Sequence, residues 1–376
     1  RSSDLVTGDL HFKGKYNFNF PKRFPEGYGY SEDQESWEWQ NNTSDRMLFK
    51  SDDFDSIYTD PETLEQFPAW KNDFEARFPD DTWEDIDKLK EWISWVVSTD
   101  RDQATDDALE APVTYDGTEY TNDTADYRLA KFKAELADYA EVDTLIFYYV
   151  WTEFFLMVDS RAKNLFMGFH GSPCEIEGSA IDRKIVAEPY DMDTGLGTNN
   201  EGTLTYTYSL EDLDTIAGAD VFNGQHSVLW CNLRDTHRAA IVNMYQTLRS
   251  SGGLNYNAVE QRYEDAQNLW PEAVWNEDGK IKYTDPLTNP ETGKEPTAFY
   301  LPMAQGSKEQ QRKWWLGNRF AYMDSKWNAG DALAQVIVGR QTCKNPKNAD
   351  LNGDSEVSIA DLTLLVNQFK GRQPNN

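Results

Sequence analysis

The longest apolar stretch of the chain reads Ile146-Phe147-Tyr148-Tyr149-Val150-Trp151 and resumes as Phe154-Phe155-Leu156-Met157-Val158. Apolar on every face, it predicts a helix buried on most sides, with Asp143 placed as its N-cap. The run stops at Asp159-Ser160-Arg161-Ala162-Lys163-Asn164. A second apolar segment follows, then a strand-like piece, Arg183 to Ala187, that leads into Pro189-Tyr190-Asp191-Met192-Asp193-Thr194-Gly195. Upstream, residues 61 to 97 carry helical spacing: Pro61 suits a first turn, and Trp83, Ile86, Leu89, Lys90, Ile93 and Val97 recur at three and four. Residues 99 to 124 read as a loop or short hairpin, and a helix is expected from about Thr124 to Ala140.

Both ends of this central part have their own rhythm. His11-Phe12-Lys13 and Tyr16-Asn17-Phe18-Asn19-Phe20 alternate at period two, as half-buried strands do, and Met47 to Lys50 is a further candidate strand. After Asp193 comes a glycine-rich stretch (Gly195, Gly197, Gly202), which suits either a hairpin turn or a loop that admits a substrate. Leu204 to Tyr208 is expected to be a strand. Helices are expected over His226 to Leu233, Ala239 to Leu248, Asn257 to Trp270 and 307 to 328. On the last of these, Arg312, Lys313 and Arg319 form a local basic patch, read first as neutralising an acidic chain and second as an anion site. The sum is an α+β protein, strand-rich at its amino-terminal part and helical beyond it.

Charge narrows the partners. With 65 acidic against 36 basic residues the net charge is −29. Nucleic acid and anionic membrane surfaces need positive potential, so neither is an expected partner. Cations and other proteins remain. A mean hydropathy of −0.74 alongside 13 Trp, 19 Tyr and 19 Phe suggests a folded protein with a polar surface. No uncharged apolar run reaches membrane-spanning length, because Glu153 interrupts the longest one. Cys174, Cys231 and Cys343 lie far apart with no C-x-x-C pair, which is not a disulfide framework and leaves at least one thiol free, and His11, His170, His226 and His237 read as packing or surface residues. The first residue, Arg1, with no signal peptide after it, suggests a processed or trimmed piece of a longer protein.

The candidate chemistry gathers where the apolar run ends. One acid, Asp159, an amide five residues on, Asn164, and the pair Asp191/Asp193 supply hard oxygen ligands of the kind Mg²⁺ takes, and a lone carboxylate can accept a hydroxyl proton. Protein kinases use an Asp base, an Asn four intervening residues later and a further metal-binding Asp. In so acidic a chain the same spacings also arise from a turn and a surface acid. The segment Phe155 to Asn164, with Pro189 to Thr194 after it, resembles the CotH family of spore-coat kinase-like proteins, most nearly its divergent branch in tailed phages of gut bacteria. Trp37-Glu38 through Arg46, Asn223-Gly224-Gln225 through Trp230, and Gly306-Ser307 through Trp315 extend the likeness over roughly residues 9 to 331.

The resemblance implies an atypical protein-kinase-like fold over 1–335, with Asp159 as base and Asn164, Asp191 and Asp193 on Mg²⁺ carried with ATP. It also implies an amino-terminal lobe lacking the family's upstream Gly-Asn/Thr-Ser stretch and its lysine. Neither G-x-G-x-x-G nor a Walker loop occurs, so Lys13 and Lys15, with Lys22 and Lys50, are the candidates for phosphate contact. The tail, 340–376, differs in character. Asp350, Asn352, Asp354, Glu356, Ser358 and Asp361 follow the ligand rhythm of an EF-hand-type Ca²⁺ loop, and the stretch resembles one dockerin repeat, with Ser355 where a glycine is expected. Two functions are therefore expected. One is Mg-ATP-dependent phosphoryl transfer to Ser or Thr of a coat or surface protein. The other is a non-enzymatic structural or adhesive part of a phage virion or bacterial surface assembly, which keeps the fold without the nucleotide. Either places the protein outside the cell, on a surface, or in a phage particle.

Overall fold

A computed structural model describes residues 37–41, 57–59, 64, 66–68, 74–78, 87–162, 164–169, 184–192, 194–198, 206–213, 227–274 and 308–328. The architecture is mixed α+β. Four strands, β1 (Trp37–Asn41), β4 (Phe74–Phe78), β7 (Leu165–Phe169) and β8 (Ile185–Pro189), form one antiparallel sheet in the order β4-β1-β7-β8. Two smaller pairs stand apart from it, β2 (Ile57–Thr59) with β3 (Gln66–Pro68) and β5 (Ala108–Tyr115) with β6 (Thr118–Asn122). The helices are α1 (Asp87–Val97), α2 (Ala125–Tyr139), α3 (Val142–Phe155), α4 (Val228–Thr236), α5 (Arg238–Ser250), α6 (Tyr256–Asn268) and α7 (Lys308–Lys326).

The apolar run becomes α3, whose buried residues, Leu145, Ile146, Tyr149, Val150 and Phe154 among them, cover every face but the one that carries Phe147. Around it a single core brings together Leu89 and Trp92 of α1, Leu136 of α2, Met167 of β7, Ile185 of β8, Leu229 of α4, Ile241 of α5 and Phe320 of α7. Side-chain caps start several helices. Thr124 accepts from the Tyr127 N–H at 3.1 Å and Asn255 from that of Ala258 at 2.8 Å. The expected hairpin within 99–124 is β5–β6, and the expected helices at 124–140, 226–270 and 307–328 are present within two to three residues of their ends.

Three expectations are corrected. The stretch 61–97 is not helical throughout: β3 and β4 occupy its first half, and the helix begins only at Asp87. Phe74, Ala76 and Phe78 alternate at period two, and pairing with β1 outweighs the weaker period-three spacing. Asp143 does not cap α3. The cap position is Glu141, which makes no side-chain cap bond, and Asp143 falls in the first turn. The Glu141 N–H donates to the Ile185 carbonyl at 2.8 Å, so the sheet edge fixes where this helix starts. Within the expected strand 204–208, the described residues 206 to 208 are not in a strand: Tyr206 lies in a bend and Tyr208 in a turn. The candidate strands at 11–13, 16–20 and 47–50 lie outside the described residues.

Two strands of the amino-terminal part thus join the strands that flank the candidate site in one sheet. That sheet, with α3 against it, positions the chemistry.

Candidate functional site

The β7–β8 hairpin sets the geometry. Its register pairs Leu165 with Pro189 and Phe169 with Ile185. Asn164, which enters β7, and Tyr190-Asp191, which leave β8, therefore lie at the same end of the hairpin. Stacking of Tyr190 on Phe166, ring centroids 4.2 Å apart, fixes the exit from β8. Asn164 and Asp191 both have left-handed backbone, at φ 60° and 49°, a conformation that Asn and Asp tolerate better than most residues. The loop between α3 and β7 folds back so that the Asn164 Nδ2 donates to the Asp159 Oδ2 at 3.1 Å and to the Asp159 carbonyl at 3.3 Å. Asp159 is 6% exposed and Asn164 5%.

What holds that loop is a buried ionic network. The helix ends at Phe155 and turns through Leu156, itself left-handed at φ 52°. The Tyr148 hydroxyl donates to the Ser160 carbonyl. Arg161, fully buried, pairs with Glu153 at 3.0 Å, donates from Nε to the Thr152 hydroxyl at 2.9 Å, and lies 4.0 Å from the Tyr149 ring centroid. The Trp230 indole N–H donates to the Arg161 carbonyl at 2.7 Å, which ties α4 to the loop. Glu153 also accepts from the backbone N–H groups of Asp212 at 2.5 Å and Leu213 at 3.1 Å. Arg319 of α7 donates to the carbonyls of Glu153 and Phe154 at the end of α3 and to those of Tyr208 and Leu210, so it ties the helix end to that segment. Burial pushes the Glu153 carboxyl up, but Arg161, Arg319 and Lys326 together outweigh it and hold the group below the usual carboxylate range. Burial likewise pushes the Tyr148 hydroxyl well above its ordinary value, so it stays a hydrogen-bond donor.

Beyond β8, Asp191 is exposed and Thr194 buried. The Leu196 N–H donates to the Phe155 carbonyl at 2.7 Å, which brings the chain after the acid back against the end of α3. The glycine-rich stretch is in part a packing device. A Cβ on Gly197, at φ 77°, would stand 2.4 Å from the Tyr206 carbonyl and 2.5 Å from the Trp315 Nε1.

Of the residues expected at the site, Asp159 and Asn164 are in direct contact and Asp191 emerges at the same end of the hairpin. Asp193, Lys13 and Lys15 lie outside the described residues, as do Asp350, Asn352, Asp354, Glu356, Ser358 and Asp361 of the tail. Carboxylate and amide oxygens are the donors Mg²⁺ accepts, so the set is chemically apt. Among the described residues, no three His, Cys, Asp or Glu side chains come together as metal ligands. On α7, Arg312 pairs with Glu260 at 2.7 Å and Lys313 with Glu309 at 2.6 Å, in keeping with the first reading of these residues as neutralising acids, whereas Arg319 is buried against carbonyls. The network of Glu153, Arg161 and Arg319 was not expected. Its one sequence signal is a lone charged residue, Glu153, inside an apolar run, which a buried cation must answer. Comparison with protein-family models, with curated proteins and with solved structures finds no match.

Proposed function

We propose that this chain is a phosphoryl-transfer protein of kinase-like, CotH-like organisation, which uses Mg²⁺ and ATP to modify a Ser or Thr hydroxyl on a coat or surface protein. The observation that carries this reading is the Asn164–Asp159 contact at the mouth of the β7–β8 hairpin, with Asp191 leaving the hairpin at that same end. Helix, acid-and-amide loop, antiparallel hairpin and second acid follow in the order that a catalytic base and a metal-binding pair require. Asp159 takes the acceptor's hydroxyl proton, and the Asn164 amide orients its carboxylate. Asn164, Asp191 and Asp193 hold Mg²⁺, whose chemistry in such a site is to offset charge on the phosphoryl oxygens. Lys13 and Lys15 contact phosphate. The tail binds Ca²⁺ through Asp350, Asn352, Asp354, Glu356, Ser358 and Asp361, and the protein works outside the cell, at a surface, or in a phage particle.

A second reading has its own support. Asp159 is nearly buried and its carboxylate is engaged by Asn164, an arrangement that also suits a scaffold which keeps the fold as a structural or adhesive part of a surface or virion assembly. Calorimetric titration with Mg²⁺ and ATP separates the two. Heat from the wild type that is absent from Asp191→Ala supports phosphoryl transfer, whereas no heat from either supports the scaffold. For the tail, a Ca²⁺ titration should lose its saturable heat in Asp350→Ala, and an unchanged isotherm would remove Ca²⁺ from that loop.

A further inference from the structure

Behind the candidate centre, between the exposed side of α3 and β8, lies a cleft of about 440 Å³ that the phosphoryl-transfer reading does not use. Its volume lies within the range of small-molecule sites, roughly 300–1,000 Å³. Phe147 and Trp151 of α3, Met157 beyond that helix, Ala187 and Pro189 of β8, and Met192 line it. Phe147 is 40% exposed, although nearly all of α3 around it is buried, and its ring stacks on Trp151 with centroids 5.7 Å apart. Alternation along β8 turns Ala187 and Pro189 toward the cleft and Glu188 to the other face.

Among the described residues, two acids flank the cleft. Asp143, exposed in the first turn of α3, stands one turn before Phe147 on the ridge that continues to Trp151. Asp191, also exposed, separates the β8 exit from Met192 at the other end. Among the described residues, no Lys or Arg lines the cleft. Lys184, the nearest described cation along β8, precedes the lining residue Ala187 by three residues, about 10 Å of extended chain. Aromatic faces attract cations, and thioethers pack well against an apolar or aromatic body.

We propose that this cleft binds a small organic cation with an apolar or aromatic body, the charge lying toward Asp143 and Asp191 and the body against Phe147, Trp151 and Met192. The cleft shares Asp191 with the phosphoryl-transfer reading but needs neither metal nor nucleotide, so titration in the absence of both tests it separately. The test is calorimetric titration of the full chain with benzyltrimethylammonium, in buffer free of divalent ions, with benzyl alcohol and phenylacetate as neutral and anionic controls of matched ring. Saturable binding of the cation is expected, with the alcohol weaker and phenylacetate showing none. Phe147→Ala, at an exposed position that tolerates truncation, should weaken the cation by about fivefold or more. Asp143→Asn with Asp191→Asn should weaken the cation while leaving benzyl alcohol unchanged. Absence of cation binding, equal affinity for all three probes, or indifference to both variants would overturn the proposal.

Discussion

Glu153 and Arg161 have side chains with no exposed surface. Two charges removed from water are tolerable only as a pair, with their remaining valences filled. Both conditions hold, through Thr152, the Tyr149 carbonyl and the N–H groups of Asp212 and Leu213. Arg161→Met should therefore cost about 3–5 kcal/mol in urea unfolding, because it strands Glu153. Adding Glu153→Gln to it should recover part of that loss. The pH response has a definite sign. A carboxyl held below its unfolded value, about 4.3, contributes stability fully present above that value and lost as the pH falls through the lowered one. Acidification also relieves repulsion within a chain of net charge −29, which acts in the opposite direction. The wild type minus Glu153→Gln difference isolates the pair: it should be flat from pH 7 to 5 and shrink below about 4.3. A difference that grows on acidification would show the carboxyl to be raised instead.

At the scale of elements, the turn out of α3 is the critical joint. Leu156 takes the left-handed conformation that usually falls to glycine, yet its side chain is fully buried with Val158, Leu213 and Trp315. Relief of backbone strain is worth about 1–2 kcal/mol, against about 2–5 for a buried leucine. Leu156→Gly should therefore lower the melting temperature, and an increase would mean that strain dominates. Gly197→Ala should also destabilise, by about 1–3 kcal/mol, since its Cβ would meet the Tyr206 backbone and disturb the 3.1 Å bond from the Trp315 indole to the Tyr206 carbonyl. These joints mark what was legible in the sequence. An unbroken apolar run announces α3, and helix spacing places α2 and α4 to α7, because both periods follow from burial of one face or of all. Strand β4 was hidden in a stretch whose tryptophans and isoleucines favour a helix further on, and only its partner β1, more than thirty residues away, decides it. The start of α3 was misread for a related reason: a carbonyl of β8, not a local acid, terminates the preceding turn. For the site, Asp159, Asn164 and Asp191 were legible as a spacing. Their support by Arg161 and Arg319 was not, because a guanidinium that serves carbonyls across 165 or 166 residues leaves no local pattern.

For the whole molecule, a main core and a smaller cluster around Leu156 organise the described residues, and the site stands where α3, the sheet and α7 meet through buried ions rather than on a free loop. A centre supported in this way is held in place before any ligand arrives, as positioning of a catalytic base requires. A net charge of −29 favours cations over anions at either proposed site. The most direct test of the account is crystallographic: crystals grown with Mn²⁺, standing in for Mg²⁺, and ADP, with data collected for the anomalous signal of manganese. The account predicts a peak at the mouth of the β7–β8 hairpin, about 2.1 Å from the Asn164 Oδ1 and from a carboxylate oxygen of Asp191. Manganese found only on scattered surface carboxylates, with the Asn164–Asp159 contact unchanged and no nucleotide beside it, would contradict it.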